Sequence, residues 1–343
     1  MLVTRPGRRG DRGAVGAIVA VLFGTGVALG MCALVIDIGL IFVERKQLQT
    51  GADAAAVEVA RVCATSAVAC GAPGTTATAA AYARENVADG EATAAVCGRG
   101  GGLSPCPTPS ACARPAPATG VYAEVRTSIL RPDGSTLLPP VFAQAVVDDY
   151  DGAAVTACAR ATWGPPRAAR TLALAVSACD WEAMTGRGAR FPSRERTLGG
   201  YPDTDPGACG RGAGSAGAGG FRWVAGSDAT CRTPVSTTTA FRVTGRTELP
   251  AGCRNVLETL PPGQAVAVPI FSAVSDAGSA YTVLGVAAFV VTGWRLPGSR
   301  STRAPAACGA GGCVSGYFTR AQVPGGGTVG GPNLGAQITE LIG

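Results

Sequence analysis

Residues 14–43 carry a single charge, Asp37, and an apolar run of that length exceeds the roughly 20 residues a helix needs to cross a hydrocarbon core. The pattern predicts a transmembrane helix. Beyond it the helical period continues: Leu48, Ala52, Ala55, Val59 and Val62 recur at intervals of 4, 3, 4 and 3, one narrow stripe of small apolar residues over four turns. Asp53, Glu58 and Arg61 lie off the stripe. Gly51 costs about 1 kcal/mol relative to Ala in a helix and leaves room for a local bend. The stripe has two readings, a face that meets partner helices and the core side of a helix belonging to the chain's own outer region. Asp37 also has two: a carboxylate in the headgroups, or a deeper one that needs a partner and marks an assembly contact.

Further along, residues 75–86 are Ala-rich and predict a second, short helix. Residues 98–120 are Gly, Ser, Pro and Cys without periodicity, as in a linker. Alternation at Val121-Tyr122-Ala123-Glu124-Val125-Arg126, a turn at Pro132-Asp133-Gly134 and residues 154–162 predict a small β-containing unit. Strands are then expected at 172–176, 221–225, 240–244, 266–271 and 281–294. The apolar run 283–292 is too short for a membrane helix and suits a buried central strand. Residues 324–335 are Gly-rich and expected to be mobile.

The expected fold class is α+β: a long N-terminal transmembrane helix continuing outside the membrane, then a disulfide-rich, mainly β extracytoplasmic region. Its expected divisions are a cytoplasmic basic tail (1–13), the transmembrane helix (14–43), a helical segment (44–97), a linker (98–118), a small β unit (119–165), a β-rich domain (166–320) and a Gly-rich tail (321–343).

Charge sets an orientation. Arg5, Arg8, Arg9 and Arg12, less Asp11, put +3 of the net +6 before the apolar span, whereas Glu44, Arg45 and Lys46 after it sum to +1. The positive-inside bias places the N-terminus in the cytoplasm and the rest outside, in a single-pass arrangement at the cell membrane. The remaining charge is too dispersed, and aromatics at 6% too few, for nucleic acid to be a partner. The span is twice the length of a signal-peptide core, so an uncleaved anchor in membrane lipid is expected.

Composition then narrows the chemistry. The chain has no histidine, which removes Ser-His-Asp and Cys-His catalytic sets, His-ligated zinc and a histidine pH switch. Cys32 lies in the span; Cys63, Cys70, Cys97, Cys106, Cys112, Cys158, Cys179, Cys209, Cys231, Cys253, Cys308 and Cys313 lie outside it, an even set that an oxidising compartment would pair. Their connectivity is open, although Cys308 and Cys313 can close a small loop. Without a Cys-x-x-Cys pair neither a zinc knuckle nor a thioredoxin-like site is expected. Gly212 to Gly217 fits a dinucleotide-type glycine pattern but lacks the flanking strand and helix. Asp148, Asp149 and Asp151, and likewise Asp203 and Asp205, read as solvated turns rather than calcium ligands. No catalytic residue, cofactor or metal is assigned.

Arg12-Gly13-Ala14-Val15, the span's ending Val35-Ile36-Asp37-Ile38-Gly39, and Glu44-Arg45-Lys46-Gln47-Leu48-Gln49 with Ala52-Asp53-Ala54-Ala55-Ala56 together resemble the N-terminal segment of TadG-like Flp pilus-assembly proteins. Leu137 to Ala143, Cys158 to Gly164 and Cys179-Asp180-Trp181 resemble the outer region of TadG-related proteins. The resemblance implies a non-enzymatic accessory or minor structural component of a Tad/Flp-type pilus or secretion apparatus. It further implies pilin-like or pilus-assembly partners and an assembly face at Asp37, Leu48, Ala52, Ala55, Val59 and Val62. Where TadE-like pseudopilins carry a processing-site Glu this chain has Ile18, and the metal motif of some TadG adhesion domains is absent. The competing reading is a membrane-anchored extracytoplasmic enzyme or ligand-binding protein unrelated to pili.

Overall fold

The computed structural model describes the chain except for residues 1–11, 109–111, 143, 145–149, 201–218, 245–248, 251, 275–279, 307, 310, 325 and 343. A single helix, α1 (Arg12–Thr65), covers both the apolar span and the small-residue stripe. It is followed by α2 (Ala67–Cys70), α3 (Pro73–Glu85) and strands β1 (Ala92–Arg99), β2 (Tyr122–Ile129), β3 (Leu137–Leu138), β4 (Ala153–Ala154) and β5 (Thr156–Gly164). The rest is β6 (Pro166–Leu172), β7 (Leu174–Ser177), α4 (Ala178–Thr185), β8 (Arg196–Gly199), β9 (Phe221–Trp223), β10 (Arg232–Ser236), β11 (Phe241–Arg242), α5 (Cys253–Thr259), β12 (Ala265–Val274) and β13 (Ala280–Leu296). The chain ends with β14 (Ser299–Arg300), β15 (Cys313–Thr319), β16 (Ala321–Gln322), β17 (Gly327–Val329) and β18 (Ala336–Leu341). The class is mixed α+β, with a long apolar helix leading into a mainly β region.

The C-terminal half of α1 lies across a sheet of order β1-β2-β5-β18-β16. Leu48, Ala52, Ala55 and Val59 are all fully buried, in one core with Ala79 and Ala83 of α3 and Ala123, Val125, Ala159 and Ala161 of the sheet. Alanine on both sides lets helix and sheet approach closely, and close packing multiplies small dispersion contacts. Gly51 belongs to the same logic. A Cβ there would lie 3.0 Å from the Cα of Ala83, so glycine permits the crossing with α3, and α1 is one continuous helix through this position.

The second core is built on the larger sheet, β8-β15-β13-β12-β7-β9, with β11 and β14 also paired to β13. Strand β13 contains the ten-residue apolar run and sits between β12 and β15, as a strand buried on both faces should. Phe221, Phe271, Phe289 and Phe318 fill this core. A third sheet, β10-β6-β17, flanks it.

Two segments differ from expectation. The region 44–97 ends in strand β1 rather than in helix, because Ala92 to Arg99 finds a full antiparallel partner in β2, and tertiary pairing overrides the helical bias of alanine. The Gly-rich tail supplies β16, β17 and β18. Strand β18 pairs antiparallel with β5, and its Ala336 and Ile338 pack against Ala267, Val286 and Ala288 of the second sheet. The C-terminus thus completes the first sheet and joins it to the second.

Candidate functional site

The exposed half of α1 is the most conspicuous surface. Every residue from 15 to 29 is exposed, including Val15, Ile18, Leu22, Phe23, Val27 and Leu29. The helix is long and apolar enough to cross a membrane. Cys32 is a free thiol on this half.

Burial begins at Gly30 and falls along one face. Gly30, Ala33, Asp37, Ile41, Glu44 and Leu48 are buried or partly buried while most of their neighbours are exposed, and their spacings of 3 or 4 place them on one side of the helix. What covers Asp37 is the loop after β3. Its carboxylate, 6% exposed, accepts the backbone N–H of Val141 at 3.0 Å and that of Phe142 at 3.0 Å and 3.3 Å. The apolar span therefore carries a carboxylate because the chain's own loop supplies two donors for it.

The polar members of the Gln47-Leu48-Gln49 motif are ties of the same kind. Gln49 donates to the Cys158 carbonyl at 3.1 Å and to Asp53 at 2.8 Å, which aims it. Gln47 accepts the Ala88 N–H at 3.0 Å, and Thr127 donates to the Leu48 carbonyl at 3.0 Å. Glu44, at the rim of this junction, has its carboxyl raised above the ordinary value, first by burial and then by the charges of Asp89 and Glu91.

Of the six residues expected to form an assembly face, Asp37, Leu48, Ala52, Ala55 and Val59 are buried against this chain's own outer region, and Val62 is partly buried. The stripe is covered by this chain's own first sheet and by α3. The physical reason is simple: a sheet rich in alanine packs on a helix stripe of small residues as well as another helix would.

The far face of the first sheet holds a buried ion cluster that the sequence did not single out. Glu124 and Arg160 stand directly opposite one another in β2 and β5, 0% and 1% exposed. The carboxylate accepts from Arg160 Nε at 2.7 Å and from Arg126 Nε at 2.7 Å. Burial alone would raise the Glu124 carboxyl; hydrogen bonds and charge from Arg126 and Arg160 outweigh it and bring it below the ordinary value.

The loop expected as a linker roofs this cluster. Cys97–Cys106 and Cys112–Cys158 fasten it to β1 and β5, and Arg160 and Arg126 donate to the carbonyls of Arg114 and Pro107. Sulfur and carboxylate meet in Cys97, Cys106 and Glu124 and again in Cys112, Glu124 and Cys158. All four sulfurs are spent in disulfides and are not thiolate ligands. Alternation in β2 would put Glu124 outward, and only the cysteines flanking the loop hinted at a cover.

Further disulfides join Cys63 to Cys70, Cys231 to Cys253 and Cys308 to Cys313, and Cys179 is disulfide-bonded as well. Cys209, the Gly212 to Gly217 pattern, Asp148, Asp149, Asp203 and Asp205 lie outside the described residues, and Asp151 is exposed.

A cleft of about 440 Å³ opens beside the second core, lined by Leu257, Glu258, Thr292, Trp294, Arg300 and Arg303 among others. It lies where β13 bulges between Val291 and Gly293. The Thr292 hydroxyl is buried there without a hydrogen-bond partner among the described residues.

Residues 16–62 match the family model for Flp pilus-assembly TadE/G-like proteins. No curated protein and no solved structure matches the chain.

Proposed function

Taking the N-terminal match to the Flp pilus-assembly model as premise, we propose that this chain is a non-enzymatic, single-pass membrane component of a Tad/Flp-type pilus or secretion apparatus, either accessory or a minor structural subunit. The observation that carries the reading is the coincidence of that match, 16–62, with a helix whose N-terminal half is apolar and uncovered. Bilayer lipid accounts for that exposure. The basic N-terminus then faces the cytoplasm, and the disulfide-bonded region lies in an oxidising space outside. Partners of the pilus machinery meet the uncovered half of α1 or the outer surface, since Leu48, Ala52, Ala55 and Val59 are occupied within the chain.

Deletion of the gene, followed by electron-microscopic counting of surface pili, tests this. Fewer or shorter pili, restored by the full chain, is the expected outcome; unchanged pili in a strain with no second copy would count against it. The cleft beside Trp294 favours a second reading, in which the outer region binds a small ligand through Glu258, Arg300 and Arg303. Retained pili together with ligand-dependent thermal stabilisation, lost in Arg300→Ala, would favour it.

A further inference from the structure

We infer that residues 139–142, the tip of the loop after β3, enter the bilayer beside α1 and give the outer region a second contact with lipid. The inference rests on α1 being membrane-spanning. The loop tip is Pro139-Pro140-Val141-Phe142, with Val141 58% and Phe142 45% exposed, whereas the other aromatics described after α1 are buried or partly buried. Phe142 borders a shallow groove along the apolar half of α1, together with Gly26, Leu29, Gly30, Ala33 and Ile36. These positions all precede Asp37, so the ring lies on the membrane side of the carboxylate that holds the loop.

Length decides where the bilayer surface falls. The wholly uncovered stretch 15–29 rises only about 22 Å at 1.5 Å per residue, short of a hydrocarbon core about 30 Å thick. Completing the span takes another five residues or so, to about residue 34, within the stretch from Gly26 to Ile36 that borders the groove with Phe142. Lipid thick enough to cover α1 therefore reaches the Phe142 ring at its outer edge.

Lipid-exposed irregular backbone is excluded from the hydrocarbon interior because its polar groups go unsatisfied there, so the tip sits at the headgroup boundary, where its carbonyls meet water and its donors are already taken. Pro139 and Pro140 have no N–H. The N–H groups of Val141 and Phe142 both go to Asp37. Asp37 thus does two things at once: it clamps the loop to the helix and removes the backbone donors that would keep the tip in water.

The test uses the full chain in phosphatidylcholine vesicles whose acyl chains carry bromine, a contact quencher of tryptophan, near the headgroup or near the chain end. Phe142→Trp, Leu29→Trp and Val68→Trp are read as emission added to that of the unaltered protein, whose Trp163, Trp181, Trp223 and Trp294 are each at most 9% exposed. The expected result is loss of the added emission for Leu29→Trp and Phe142→Trp, the latter more strongly with shallow bromine, and none for Val68→Trp on the outer region. Quenching of Leu29→Trp without Phe142→Trp overturns the inference and leaves the anchor standing. Absence of quenching at both overturns the anchor itself and the inference with it. Val141→Trp repeats the measurement should Phe142→Trp fail to fold.

Discussion

Glu124 is a charged residue in a strand whose alternation points it toward solvent, yet it is sealed under a loop with Arg160. Removing one partner of such a pair leaves the other charge buried, which costs far more than the pair itself contributes. Glu124→Ala should therefore lower stability by about 3–5 kcal/mol, measured as a shifted urea midpoint. The pH dependence has a definite sign. Because the folded carboxyl is held below its ordinary value of 4.5, its contribution is fully present above that value and is lost as pH falls through the lower, folded one. The acid loss of stability should accordingly be shallower in Glu124→Ala than in the unaltered chain. Equal slopes would mean that other carboxylates carry the acid response. At this scale Asp37 was legible as a residue needing an explanation, since a lone charge in an apolar run announces itself. Glu124 was not, because a single outward-facing Glu is the commonest thing on a strand.

Among the elements, α1 was read correctly in length and period, whereas its packing partner was left open because small residues at helical spacing suit a helix or a sheet equally. The loop between β1 and β2 was legible as structureless and Cys-rich. Its role as a roof came from two disulfides whose far ends, Cys97 and Cys158, lie in β1 and β5 on either side of β2, a relation that exists only once the sheet has formed. The two kinds of disulfide should differ in weight. Cys112–Cys158 spans 46 residues and Cys308–Cys313 only 5. Loop-closure entropy assigns about 4 kcal/mol to the longer bridge and about 2 kcal/mol to the shorter. Replacing both cysteines of each pair by alanine should reproduce that order in chemical denaturation. The reverse order would show that the roof contributes little to the fold.

For the whole molecule, the decisive element is β18, which pairs with β5 on one side and presents Ala336 and Ile338 to the second sheet. Ile338 is 2% exposed. Ile338→Asp places an unpaired charge between the two sheets, a cost that falls among the largest single-residue effects, above about 4 kcal/mol. Limited proteolysis should then open both halves together. Cleavage confined to residues after β15 would mean that the halves are stable without their shared strand.

What the chain determined by itself was local: the span, the helical period, the strand-like alternations and the even set of outer cysteines all follow from spacings of a few residues. Tertiary structure alone decided that the helix stripe packs inward, that Asp37 receives a loop from 104 residues away, that Glu124 meets Arg160 under a roof, and that the glycine-rich tail becomes the joining strand. Each of those depends on surfaces separated by tens to hundreds of residues, and burial, unlike periodicity, is a property that a residue acquires only from what arrives to cover it.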